Sequence, residues 1–337
     1  MSITNNSNPP LFKLGLGCGV FSGAYGPITQ KEATATVRTA FQNKITLVDT
    51  SPYYGDSEVK LGNALLEIQS EFPRSSYQIC TKLGRYGYHK ADFDYSAARV
   101  IASVHTSMQR LHTSYLDIVL CHDVEFVDFK QIIDETLPQL FELKQQGIVR
   151  KVGISGYPLN VLLDIAETQQ KRGYPLDVCL TYCNFNLHCQ VLASYATKLR
   201  NAGVKTIIAA SPLSMGLLSD STTPNWHPAK AELKAAVAEC VRLIDKFKSS
   251  GTGEPVSLTR MAENFAFSYK EADVHLIGAK SSDEVYCALD TFISAQRLQL
   301  ASGGKYPDIR IQQLYEQIQN ILKPFANYTW PSPSEDA

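Results

Sequence analysis

The chain has 337 residues, 44% hydrophobic and 19% charged, which is ample apolar material for a large core. Lys and Arg number 32 against 33 Asp and Glu, so there is no basic surplus for nucleic acid and no polybasic run for an anionic membrane. No uninterrupted apolar run approaches a membrane span, residues 1–15 lack the charged-then-apolar pattern of a signal peptide, and the eight cysteines are scattered as buried free thiols are. The expectation is a reducing, cytoplasmic setting.

Short β-rich runs alternate with helix-length segments along the whole chain. The predicted strands are 14–18, 45–49, 77–82, 116–122, 149–155, 177–182, 205–210 and 274–278. Strand–helix alternation argues for a parallel sheet, and eight such units in roughly 300 residues argue for a (β/α)8 TIM barrel. After the third strand, Ala97, Ile101, Val104, Met108 and Leu111 form an apolar stripe at helical spacing. Pro138 suits a first helical turn, and Gly147 suits the end of that helix. Between strands 7 and 8 an insertion, 211–273, carries extra helices near 229–248 and 257–269, joined by an exposed turn at 249–255. The pattern predicts one more helix at 309–322. Residues 1–337 read as a single domain with an ordered core of about 11–325 and a flexible tail, 326–337.

Chemistry in such a barrel gathers where the strands end at their C-terminal rim. Asp49, Lys82, His122, Ser155 and Ser211 close five of the predicted strands, and Tyr54 lies on the loop five residues past Asp49. A free phenol titrates near pH ~10, a lysine cation beside it favours phenolate, and a carboxylate beside the lysine holds that cation in place. An imidazole orients a carbonyl or hydroxyl oxygen and stabilises charge developing on it. Asp49, Tyr54, Lys82 and His122 thus make a coherent acid/base set. Cys179, Cys183, His188 and Cys189 match no standard metal spacing, and no metal is expected.

The segments DTSPYYGDSE, ICTK, LCHD, GIVRKVGISGY and ASPLSMGLL, in this order and spacing, resemble those of the aldo-keto reductase family from Leu14 to about Leu289. The resemblance implies Tyr54 as proton donor and acceptor, Lys82 and Asp49 as the residues that tune it, and His122 as the group orienting the reacting oxygen. It also implies a nicotinamide dinucleotide bound across the barrel mouth without a Rossmann domain. Its contacts would come from Gly17, Cys18, Gly19, Asp49, Ser155, Gly156, Ser211, Pro212, Leu213, Gly216, Gly278, Ala279, Lys280 and Glu284. Three positions depart from the family pattern. Gly156 replaces an asparagine that holds the carboxamide, Leu180 replaces a glutamine, and Ala210 stands where some members stack an aromatic ring. Glu284 falls where NADP-preferring members carry Arg or Gln. A carboxylate repels a 2′-phosphate but accepts from a 2′-hydroxyl, which favours NAD.

The stretch from TKLGRYGYHK to VLCHDVEF, with FSGAYG before it, is similar to the NAD-dependent aldose 1-dehydrogenases acting on D-arabinose or L-galactose, enzymes of ascorbate and erythroascorbate synthesis. The resemblance implies oxidation of a pyranose at C1 to a lactone, the substrate meeting Tyr54 and His122. Phe21, Tyr25, Tyr53, Tyr88 and Trp226 are expected on rim loops, where such rings pack on a sugar. The alternatives are a general NADPH-dependent aldehyde or ketone reductase and a cofactor-binding regulatory subunit. Monomer and homodimer are equally open.

Overall fold

The computed structural model describes residues 13–249 and 256–330. Eight parallel strands close in sequence order: β1 (Lys13–Gly17), β2 (Leu47–Asp49), β3 (Gln78–Leu83), β4 (Leu116–Cys121), β5 (Val149–Gly156), β6 (Val178–Tyr182), β7 (Thr206–Ala210) and β8 (Val274–Gly278). β8 pairs back onto β1, from Lys13 opposite Val274 to Gly17 opposite Gly278. Each predicted run overlaps a strand. Two expected end residues fall just past the ladder: Cys18 opens a 3-10 turn (Cys18–Ser22), and His122 follows β4 while its N–H still bonds Leu83. Alternate residues point inward, and Cys80, Ile118, Leu120, Val178, Leu180 and Ile208 fill the interior as a packed plug.

Helices wrap the outside: α1 (Gln30–Gln42), α2 (Ser57–Glu67), α3 (Ala97–Arg110), α4 (Phe129–Gln131), α5 (Leu137–Gln145), α6 (Leu159–Lys171), α7 (Ala196–Asn201), α8 (Ala231–Lys248), α9 (Leu258–Phe267), α10 (Ser282–Ser302) and α11 (Ile309–Leu322). α1 begins in a capping box, Thr29 Oγ1 accepting from Glu32 N–H and Glu32 accepting from Thr29 N–H. The buried face of α3 is Val100, Ser103, Val104 and Ser107, and Ile101 is exposed. The expected stripe is therefore rotated, because small serines take buried positions that periodicity alone assigns to solvent. Pro138 stands in the first turn of α5, as expected, although the chain is already helical from Phe129 through a π turn (Ile132–Thr136) directly before α5.

α8, α9 and α11 build a second apolar cluster around Leu233, Val237, Leu314 and Ile318. Trp330, 4% exposed, joins it and stacks on Tyr157 at 6.0 Å. Packing therefore continues past residue 325, and the part of the expected flexible tail from 326 to 330 is ordered by that contact. Residues 1–12, 250–255 and 331–337, which include the start of the expected core, most of the 249–255 turn and the end of the expected tail, lie outside the described residues. Among the described residues no helix is long and apolar enough to cross a membrane.

Candidate active site

β2, β3 and β4 are neighbours in the barrel, so Asp49, Lys82 and His122 arrive side by side at one arc of the C-terminal rim. Lys82 Nζ donates to Asp49 Oδ1 at 2.6 Å and to Thr50 O at 2.9 Å, and it lies 4.8 Å from the centroid of the Tyr54 ring. Lys82 is 2% exposed. Burial works against its charge, but Asp49 and the Tyr54 oxygen outweigh burial and hold the ammonium above its usual pKa. The Tyr54 phenol is pushed up to about 12 by burial, against the downward pull of Lys82. His122 stands edge-on to Tyr54, ring centroids 5.7 Å apart, and pairs through Nδ1 with Ser51 Oγ at 3.0 Å. Burial, with Lys82 and Arg85 nearby, lowers its pKa well below the usual value, so the imidazole is neutral at pH 7.

The loop that presents Tyr54 is fastened from below. Ser57 Oγ donates to Cys18 O and pairs with Thr50 Oγ1. Glu58, fully buried, accepts from Thr81 Oγ1 of β3 and from Arg110 of α3. Gly19 borders the phenol, since a Cβ there would sit 3.6 Å from the ring.

Several residues at this rim escaped sequence reasoning. Arg85, just past β3, pairs with Asp123, just past β4, at 2.6 Å, both almost fully buried. Arg85 also donates to the Tyr53 hydroxyl at 2.9 Å, and Asp123 Oδ2 comes within 3.6 Å of His122 Nε2. The Tyr95 hydroxyl donates to the backbone carbonyl of His122. The Asp in LCHD and the Arg in TKLGR were visible, but only folding shows that they meet. Glu125 is the other omission. It accepts from Tyr157 N–H at 3.0 Å, and its second oxygen lies where a side chain on residue 156 would start, 2.4 Å from an ideal Cβ. Glu125 thus occupies the space that a side chain at residue 156 would enter. Burial and the Asp123 charge push Glu125 up to about 8.

For a dinucleotide, three features are suitable. Asp49 Oδ2 is buried with no partner. Beyond β7, Ser211, Ser214, Met215 and Gly216 all have left-handed backbones (φ 58°, 52°, 55° and 86°), a tight turn running from Ser211 through Pro212 and Leu213. Backbone N–H groups turned in this way suit an anion. The third is the stretch Gly278–Ala279–Lys280 after β8, beside the turn of Gly17, Cys18 and Gly19. Ser155 is buried with its hydroxyl on Cys121 O, Leu180 faces the barrel interior, and Ala210 packs partly buried against the same interior cluster. Glu284 is exposed and accepts from Lys280 N–H at 2.9 Å while Ser281 caps the same helix, so it has a structural task beside any role toward a ribose.

Of the aromatic candidates, Phe21 is corrected. The 3-10 turn after β1 directs it inward, and it is fully buried in the barrel–helix core. Tyr53 packs against His122 and the exposed Tyr88, whereas Trp226, 48% exposed, donates to Ala24 O and meets Tyr25 edge-on. The two lie on different loops of the rim. Among the described residues no group of three or more His, Cys, Asp or Glu is arranged to hold a metal.

The geometry agrees with comparisons to known proteins. The model of the Aldo/keto reductase family matches residues 13–298. The chain is 37% identical to L-galactose dehydrogenase of Arabidopsis thaliana over 97% of its own length and 95% of that protein's. It is 39% identical to D-arabinose 1-dehydrogenase of Saccharomyces cerevisiae, covering 88% and 86%. An aldo-keto reductase from Bacillus halodurans superimposes with a TM-score of 0.64 at 20% identity, over 95% of this chain and 94% of that one, which speaks for the fold. Matched from its first strand to the helix that follows its last, the chain belongs to the aldo/keto reductase family.

Proposed function

We propose that the chain is an NAD-dependent dehydrogenase oxidising an aldose of the D-arabinose or L-galactose kind at C1 to the lactone, in the cytosol, as a step of ascorbate- or erythroascorbate-type synthesis. One observation carries the chemistry: Lys82 lies between Asp49 Oδ1 at 2.6 Å and the Tyr54 ring at 4.8 Å, with neutral His122 against the same phenol. The relatives' names support the substrate, and cysteines that are all free accord with a reducing compartment.

A nicotinamide dinucleotide, when bound, supplies the acceptor for the hydride leaving C1; Asp49, Ser155, the Ser211–Gly216 turn and Gly278–Lys280 would hold it. The protein's own work is proton transfer. Tyr54 takes the proton of the anomeric hydroxyl as phenolate, and Lys82 stabilises that phenolate in a site where burial otherwise disfavours it. Asp49 keeps the ammonium in place, and His122 orients the oxygen on which carbonyl character develops. Glu284 supports NAD, because an exposed carboxylate at the start of α10 opposes a 2′-phosphate. The alternative, an NADPH-dependent reductase of simple carbonyls, has Lys280 in its favour, a cation tied to Tyr25 O at 3.0 Å.

The test is purified protein with D-arabinose or L-galactose and either NAD or NADP, following reduced nicotinamide by absorbance. Turnover with NAD, lowered about 10³-fold or more in Tyr54→Phe, is expected. Turnover confined to NADPH with simple aldehydes would overturn the aldose and NAD assignments together.

A further inference from the structure

Asp123 is a buried carboxylate with only one of its oxygens satisfied. Its Oδ2 takes Arg85 at 2.6 Å, yet Oδ1 is buried and has no partner. Its backbone is left-handed, φ 47°, a conformation that Asp and Asn adopt more readily than most side chains. An ion pair buried this deeply contributes little net stability, and an empty acceptor inside it is a cost. Asp117 and Asp177, by contrast, are also buried but have partners on both oxygens. What sets Asp123 apart is its place. Oδ2 is 3.6 Å from His122 Nε2, and Arg85, which holds the carboxylate, is itself held by the Tyr53 hydroxyl. The carboxylate therefore stands beside the imidazole nitrogen that would meet the reacting oxygen, and its second oxygen remains free to accept.

We propose that Asp123, positioned by Arg85, accepts a hydrogen bond from the hydroxyl on the carbon next to the reacting one, making the pair the element that selects polyhydroxylated substrates. Neighbouring hydroxyls of a sugar lie within hydrogen-bond reach of each other. An oxygen held between Tyr54 and His122 thus brings the adjacent hydroxyl to Asp123. A simple aldehyde lacks that hydroxyl and leaves the dehydrated carboxylate unpaired. Sites built around a substrate hydroxyl discriminate strongly against analogues without it. The inference deepens the aldose reading and rests on it.

The experiment compares kcat/KM for an oxidised aldose and its 2-deoxy analogue in wild type, Asp123→Asn and Arg85→Lys. Asparagine keeps the shape and tolerates a left-handed backbone. The wild type is expected to prefer the full sugar by about 10²-fold or more. In Asp123→Asn that preference collapses to within about tenfold, with most of the loss on the full sugar. Arg85→Lys, which keeps the charge but loses the planar fork, falls between and serves if the first variant does not fold. An equal fall on both sugars, preserving the preference, marks a structural role and overturns the inference alone. A wild type without preference overturns it too. A wild type inert toward every aldose overturns the aldose reading and the inference with it.

Discussion

The two rims of the barrel use the same residue types to opposite ends. At the N-terminal rim, Asp117, Asp177 and Asp273 sit at the starts of β4, β6 and β8, and each accepts from a backbone N–H of the preceding strand: Ile79, Val152 and Ile207. Cations complete them. Arg74 and Arg150 bind Asp117, Lys144 and Lys205 bind Asp177, and Arg200 binds Asp273. At the C-terminal rim, Asp49, Asp123 and Glu125 each keep one buried oxygen without a partner. A satisfied carboxylate staples neighbouring strands, whereas a half-satisfied one keeps a buried acceptor open.

The sharpest way to break this contrast is Lys82→Met. It leaves Asp49 buried and uncompensated and removes the cation beside Tyr54, so activity should fall at least about 10³-fold. The stability loss should be about 3–5 kcal/mol, read by denaturant titration. Asp177→Ala is the counterpart below. It frees Val152 N–H and two lysines, so we expect a loss of about 2–4 kcal/mol with kcat per folded molecule retained. A large fall in kcat there would erase the division between the rims.

The rims should also titrate in different windows. Burial raises the Asp177 carboxyl, but Lys144, the Val152 N–H and Lys205 outweigh it and bring its pKa below the usual value. The stability it provides is present above pH ~4 and lost as pH falls through the folded pKa. Glu125 has the opposite sign. With a folded pKa of about 8, it favours folding fully only below its unfolded value, and that contribution disappears as pH rises through 8. Wild type should therefore lose roughly 2–4 kcal/mol between pH 5 and 9 that Glu125→Gln does not. Parallel pH–stability curves for the two proteins would refute this. The smallest effect is expected from Glu284→Gln. Stability should change by less than about 0.5 kcal/mol at this exposed cap, while kcat/KM with NADP rises about five- to tenfold as a like charge is removed.

The barrel was legible because eight apolar runs recur at regular spacing, and the four catalytic candidates because each closes a strand or follows one closely. Residues whose meaning lies in a partner from another loop were not. Arg85 and Asp123 are 38 residues apart, and nothing local to either says that they pair. Gly156 read as a missing amide contact until Glu125 was seen occupying its side-chain space. Phe21 failed for a related reason: a rim loop and an inward 3-10 turn look alike in one dimension, and only the turn's direction decides which face the ring takes. Ser103 and Ser107 show the same limit on a helix, since periodicity weighs polarity and cannot see a buried site that accepts a small hydroxyl.

The closing seam between β1 and β8 has a consequence for the birth of the molecule. Pairing Lys13 with Val274 joins residues at opposite ends of the chain, so on the ribosome the first strand must wait until most of the polypeptide has been made. Until then one flank of β1 has bare amides, and contacts of such long sequence separation form slowly. Maturation of this enzyme is thus timed by the emergence of its last strand, and the half-made barrel is the form most in need of chaperone shelter.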